Sequence, residues 1–355
     1  MYNKYAILIL FLFGTINSSG QEDSDYMLEE NKNASVTNYK ANKIGVIQVK
    51  DNIFMLKGRG GNIGVSVGDD GVFVIDSQLS DASADIVQRI RSLSKKPIKL
   101  LINTHHHGDH VGGNRNLTNE GALVFSHEMA RRRMTAPYMK AAQDKHQRSI
   151  DSIIERQGAK ITTVEDKKAA TRDAEKIVGS VEDIMNLPQG TLPVVSFSKD
   201  LTFNFNGEKI LAIHIPKAHT DGDVLLYFTE SNVMHTGDAF VNKTYPYIDI
   251  ENNGSLNGYM KGLDKVLRLI NDETIVIPGH GPIASKDDVS YTYNMLRFLN
   301  ERIAFHVVSK KTEEQVVSMT EITKEYDDQG FGEGFITTEN LVRTLYKEVS
   351  KKYKK

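Results

Sequence analysis

Six consecutive residues, His105-His106-His107-Gly108-Asp109-His110, crowd imidazoles and a carboxylate into one short stretch. Imidazole nitrogen and carboxylate oxygen are the donors that hold zinc and other divalent transition metals. In a locally extended segment residues i and i+2 point to the same side, so His105 and His107 can approach one cation together while His106 points away. Gly108 lets the chain bend and aims Asp109 and His110 at a neighbouring position. For this hexapeptide by itself, a surface loop that picks up metal adventitiously is the competing reading. Three later sites weigh against it: Ala218-His219-Thr220, Thr236-Gly237-Asp238 and Pro278-Gly279-His280-Gly281. A lone histidine after a strand is more often a hydrogen-bonded one than a ligand. The order and spacing of the whole series, rather than any one member, point to a metal set.

Each of these sites follows a strand-like run. KLLIN (Lys99–Asn103) leads into the hexapeptide, ILAIHIP precedes His219, NVMHT precedes Asp238, and TIVIP precedes His280. Strand ends that feed loops are where α/β scaffolds place function. Further short β-rich runs, KIGVIQV, NIFML, IGVSV and VFVI, come earlier, separated by turn signals at Gly58–Asn62 and Gly68–Gly71. Ser80–Leu93 reads as a helix, with Ile86, Ile90 and Leu93 at i, i+4 and i+7. A polar, helix-favouring stretch runs from about 128 to 186 and contains Arg131–Arg133; a lid, a dimerisation arm and an added helical layer all suit it. Strand-like LTFNF, KILAIHI and VLLYF follow, and from Lys286 the pattern is helical, with Val289, Leu296, Leu299 and Ile303 on one face and Leu341, Leu345 and Val349 on another. Strands, helix, strands again and flanking helices predict an α/β sandwich.

Composition bounds the chemistry. The 355 residues include no cysteine, so thiolate ligands, disulfides, iron–sulfur clusters and cysteine nucleophiles are excluded. With 44 basic against 46 acidic side chains, the chain lacks the polycationic signature of nucleic-acid binding. Residues 1–20 read as a signal peptide: Lys4, then the apolar run Ala6–Phe13, then small residues at Ser18 and Gly20. The run is too short to span a bilayer, which needs about 20 residues. Its removal takes one lysine and no acid, leaving a charge of −3 and a periplasmic or secreted protein without a membrane anchor. Residues 21–42 read as a flexible lead-in, 43–285 as the core, and 286–355 as C-terminal helices packed on it.

From about Lys43 to Pro282 the sequence resembles the metallo-β-lactamase-fold hydrolases. The signatures run in the family's order: Asp76 ending VFVID, the hexapeptide, His219, Asp238 and His280. The resemblance implies an αββα sandwich, two facing β-sheets flanked by helices, with a dinuclear site at one edge. One metal would take His105, His107 and His219; the other would take Asp109, His110 and His280; Asp238 would bridge them. Asp76 would orient the site without ligating, and Asp223 would play a similar part. Two Zn2+ per chain is the expected complement, with iron or manganese compatible with an all-nitrogen-and-oxygen set. The implied reaction is attack on a small-molecule substrate by a metal-bridging hydroxide, cleaving an ester, lactone, thioester, amide or phosphodiester-type bond. Asp109 is the residue expected to orient that hydroxide and shuttle a proton. Lys243, Tyr245 and Tyr247, on the loop after Asp238, are candidate substrate contacts, whereas Asn114 reads as a helix start.

Departures from relatives narrow this by exclusion. Cysteine-ligated β-lactamase subclasses are ruled out, and the all-histidine subclass typically lacks the bridging carboxylate supplied by Asp238. β-Lactam hydrolysis therefore stands as an alternative, as does an iron-dependent oxidoreductase of the same fold. Flavodiiron relatives carry Glu where His107 stands, and persulfide-oxidising relatives usually leave the second site incomplete.

Overall fold

The computed structural model describes residues 44–156 and 161–353; the expected signal peptide, 1–20, and the expected lead-in, 21–42, lie outside the described residues. Two sheets form, from the predicted runs and from two short strands outside them, Leu123–His127 and Val195–Phe197. The first carries seven strands in sequence order: β1 (Gly45–Lys50), β2 (Ile53–Lys57), β3 (Ile63–Gly68), β4 (Gly71–Ile75), β5 (Ile98–Asn103), β6 (Leu123–His127) and β7 (Val195–Phe197). Hairpins join β1 to β4 antiparallel, and β4 to β7 run parallel. The second sheet has the order β12 (Ile275–Ile277), β11 (Val233–His235), β10 (Asp223–Phe228), β9 (Glu208–Ile215) and β8 (Leu201–Phe205).

Alternation along the strands sorts side chains into layers. In β4, Phe73 and Ile75 pack with Ile102 from β5 against Val224, Leu226 and Phe228 of the other sheet. Val72 and Val74 turn outward, where helix Ser83–Leu93 presents Ile86 and Ile90. On the far side, Ile213, Ile215, Leu225 and Met234 meet helices Leu256–Leu269, Lys286–Val308 and Thr338–Tyr353. The expected faces Val289/Leu296/Leu299/Ile303 and Leu341/Leu345/Val349 are all buried there. The result is the αββα sandwich. No helix of the described residues is long and apolar enough to cross a membrane.

Chain direction puts the chemistry at one edge. The C-terminal ends of the parallel pair β4 and β5 lie together, as do those of β9, β11 and β12. A backbone bond from Val224 N–H to the Thr104 carbonyl, 2.9 Å, ties the loop after β5 to the start of β10 in the other sheet. The stretch after β6 forms helices Glu128–Arg156, Val164–Val178 and Val181–Ile184. Its root packs Ala130 and Met134 against Val111, the residue after His110, and against Leu192.

Candidate metal centre

All seven expected ligands converge at this edge. Potential ligand atoms of His105, His107 and His219 lie within 4.8 Å of one another, as do those of Asp109, His110 and His280; Asp238 groups with His105 and His110. His110 Nε2 is 3.1 Å from Asp238 Oδ1, while His219 Nε2 and His280 Nε2 are 3.7 and 3.5 Å from Asp238 Oδ2. Asp238 thus stands between the two triads.

The hydrogen bonds on the far side of each ring fix which nitrogen is bare. Asp76 Oδ2 takes the Nδ1–H of His110 (2.8 Å) and the hydroxyl of Thr104 (2.7 Å). Since Thr104 donates to Asp76, its oxygen is left to accept from His105 Nδ1 at 3.1 Å. His105 Nε2 is then a buried lone pair without a partner in the described structure. Asp249 Oδ2 takes His107 Nε2–H (2.8 Å), and the Tyr247 carbonyl takes His219 Nδ1–H (2.8 Å). The remaining nitrogens, His107 Nδ1 and His219 Nε2, face each other at 2.8 Å. Two lone pairs at that separation repel unless a proton or a cation lies between them. A site of converging buried lone pairs and carboxylates fits divalent metal ions, and zinc above all, because imidazole and carboxylate oxygen are its ligands.

Charge agrees. Asp76, Asp238 and Asp249 are nearly inaccessible, with side-chain exposures of 0, 11 and 3%. Burial raises a carboxyl's pKa, yet His280 and His110 hold Asp238 well below the carboxylate range, and His110 and His280 hold Asp109 at about 2. In the metal-free chain His107, His110 and His280 are correspondingly raised: burial opposes their protonation, but Asp249 outweighs it for His107, and Asp238 and Asp109 do so for the other two. Burial and the neighbouring imidazoles push His105 well down, and burial with His107 takes His219 to about 4. The edge therefore calls for several positive charges.

Tight backbone builds the cradle. Asp76 itself has φ 64°, a left-handed conformation that Asp tolerates better than most residues. A Cβ on Gly61 would sit 2.2 Å from His110 Cε1, and one on Gly279 would sit 2.0 Å from Asp238 Oδ1. Asn62 fixes the approach of the loop that carries His280: its N–H donates to the Gly279 carbonyl (2.7 Å) and its side-chain amide to the carbonyls of Pro278 and Gly281. Asp223 supports the His219 turn instead of touching a ring, accepting the Thr220 N–H at 2.9 Å; burial lifts its carboxyl to about 7. Asn114 is the first residue of helix Asn114–Asn119, its buried amide tied to Asn103, Ser77 and Thr191.

The loop residues divide. Tyr247 lies at the site, its ring 5.8 Å from His107 and 5.6 Å from His219. Tyr245 does not serve as a substrate contact: it is 2% exposed, packs on Phe331, and donates its hydroxyl to Asp327 (2.9 Å). Lys243 is exposed in left-handed backbone, and no hydrogen bond among the described residues ties it to the cluster. His106 does not stand clear of the cluster: its ring centroid is 4.6 Å from that of His107. Asp249 and Asn62 were not singled out by their sequence context.

This fold with this edge site defines a class. A family description, metallo-beta-lactamase superfamily, matches residues 56–280, more than half of the chain. The chain belongs to that superfamily. Among curated proteins it is similar to a linear primary-alkylsulfatase of Pseudomonas sp., 22% identical over 66% of this chain and 44% of that one. It is also similar to a metallo-beta-lactamase type 2 of Bacillus cereus, 17% identical over 64% and 69%. Among solved structures, a stereoselective inverting sec-alkylsulfatase from Pseudomonas sp. superposes with a TM-score of 0.59 at 17% identity, over 86% of this chain and 50% of that one. The chain thus spans half or less of the alkylsulfatases' length.

Proposed function

We propose that this chain is an exported dinuclear zinc hydrolase that cleaves an ester-type bond of a small molecule. The observation that carries the reading is the set of bare nitrogens on His105, His107 and His219, fixed by Thr104, Asp249 and Tyr247 and aimed at one point. His105, His107 and His219 would hold one ion and Asp109, His110 and His280 the other, with Asp238 reaching both. Bound there, divalent metals supply Lewis acidity and lower the pKa of water to about 7. The protein's part is positional. Asp109, its Oδ2 3.1 Å from His280 Nε2, would orient the attacking water and relay its proton to the leaving group. Asp76 and Asp249 hold the rings in the tautomers this requires.

Sulfate esters join carboxylic esters, thioesters, lactones and phosphodiesters as candidate substrates because two of the similar proteins are alkylsulfatases. The apolar run at Ala6–Phe13 supports export. The test is a hydrolysis screen of the zinc-loaded protein across those esters and a chromogenic cephalosporin, alongside His107→Ala and elemental analysis. The reading expects about two zinc per chain and loss of metal and turnover together in the variant. Turnover that survives metal loss would refute it, and one redox-active iron would favour oxidation.

A further inference from the structure

We infer that Phe335 and Tyr247 form an apolar platform that selects substrates carrying an extended apolar group beside the scissile bond, an inference that rests on the hydrolase reading. Phe335 is 85% exposed, the most of any large apolar side chain among the described residues. Its ring centroid lies 6.0 Å from that of Tyr247 in an edge-to-face arrangement, and Tyr247 in turn lies within 6 Å of His107 and His219. A continuous line of rings therefore leads from the candidate metal triad out to solvent.

The mounting of Phe335 distinguishes it from a stray surface ring. Four residues earlier, Phe331 is buried, with its carbonyl accepting the Tyr245 N–H at 3.2 Å. Asp327 receives the Tyr245 hydroxyl and, from beyond Phe335, the Thr338 hydroxyl. Gly334 passes so close to the loop that a Cβ there would meet Thr244 Oγ1 at 2.4 Å. The segment is thus fastened before Phe335 to the same loop that supplies Tyr247 and Asp249, and after it through Thr338 to Asp327, the residue that also holds the loop's Tyr245. Exposure of the ring contributes nothing to folding, whereas a substrate's apolar group laid across it would remove both surfaces from water. Because the rings begin at the metal triad, that group must be attached close to the bond being cleaved.

Isothermal titration of the zinc-loaded protein with acetohydroxamate and octanohydroxamate tests this apart from turnover. Both probes offer the same metal-binding head and differ only in the apolar chain. The inference expects octanohydroxamate to bind at least about tenfold more tightly. Phe335→Ala should remove most of that advantage with acetohydroxamate affinity unchanged, and Phe335→Leu should keep part of it. Equal affinities for the two probes, or a chain preference undiminished in Phe335→Ala, would overturn the inference alone. Failure of acetohydroxamate to bind zinc-loaded protein would overturn the metal reading and this inference with it.

Discussion

Replacing Asp249 by Asn separates the two halves of the centre. Asp249 Oδ2 takes His107 Nε2–H at 2.8 Å with a carboxylate only 3% exposed, so solvent screens the contact little. Charged hydrogen bonds of this kind contribute about 1.5–3 kcal/mol, and outer partners of metal-ligating histidines typically govern affinity by about 10–100-fold. The variant keeps the side chain's size but loses the charge that fixes the bare nitrogen of His107. One zinc equivalent, that of the His105, His107 and His219 triad, should therefore weaken by about 10–100-fold, or about 1.4–2.8 kcal/mol. The other should move by less than about threefold, because Asp249 makes no contact with Asp109, His110 or His280 among its hydrogen bonds. Asp76→Asn is the contrast. It reaches His110 directly and His105 through Thr104, so both equivalents should weaken. Competition against a chromophoric chelator, with zinc counted after desalting, reads both. An Asp249→Asn variant that binds two zinc ions unchanged, or loses both equally, would refute the reasoning.

Gly279→Ala puts a methyl 2.0 Å from Asp238 Oδ1 and 2.6 Å from the Gly237 carbonyl carbon, so the loop must shift and bound zinc, counted by elemental analysis, should fall by one equivalent or more. Tyr245→Phe should cost about 1–2 kcal/mol in denaturant unfolding, from the lost bond to Asp327, and leave KM unchanged. Asp223 has its folded pKa raised by burial to about 7, so between pH 4 and 7 the folded state holds a proton that the unfolded state has lost. Its contribution to stability is therefore present below pH 4 and declines as pH rises to 7, by at most about 1.4 kcal/mol per pH unit. Asp223→Asn should flatten that decline in metal-free protein, read as chemical unfolding at stepped pH; an unaltered slope would remove Asp223 as its source.

Local signals carried the strands and most of the cluster. β4, β5, β9, β10, β11 and β12 each combine an apolar run with a turn signal, and the seven expected ligands sit within a few residues of strand ends. β6 and β7 escaped notice because Leu123–His127 lies between a turn and a long helical stretch, and Val195–Phe197 is three residues long with two of them exposed. Asp249 was hidden for another reason. It meets His107 across 142 residues, and no spacing rule links the two. Asn62 likewise acts on carbonyls more than 200 residues away, through the way the loops stack. Tyr245 and Tyr247 stand two residues apart, a spacing that would put both on one side of an extended segment, yet in this loop one ring is buried on Phe331 and the other stands beside the histidines. Phe335 comes from a segment whose position relative to the site depends on how the C-terminal helices pack.

The most direct test of the account is a crystal structure of the protein grown with excess zinc, with anomalous diffraction recorded on both sides of the zinc edge. The account predicts two anomalous peaks, one among His105, His107 and His219, the other among Asp109, His110 and His280, with Asp238 reaching both. A single peak elsewhere, or an empty edge with these side chains pointing apart, would contradict it.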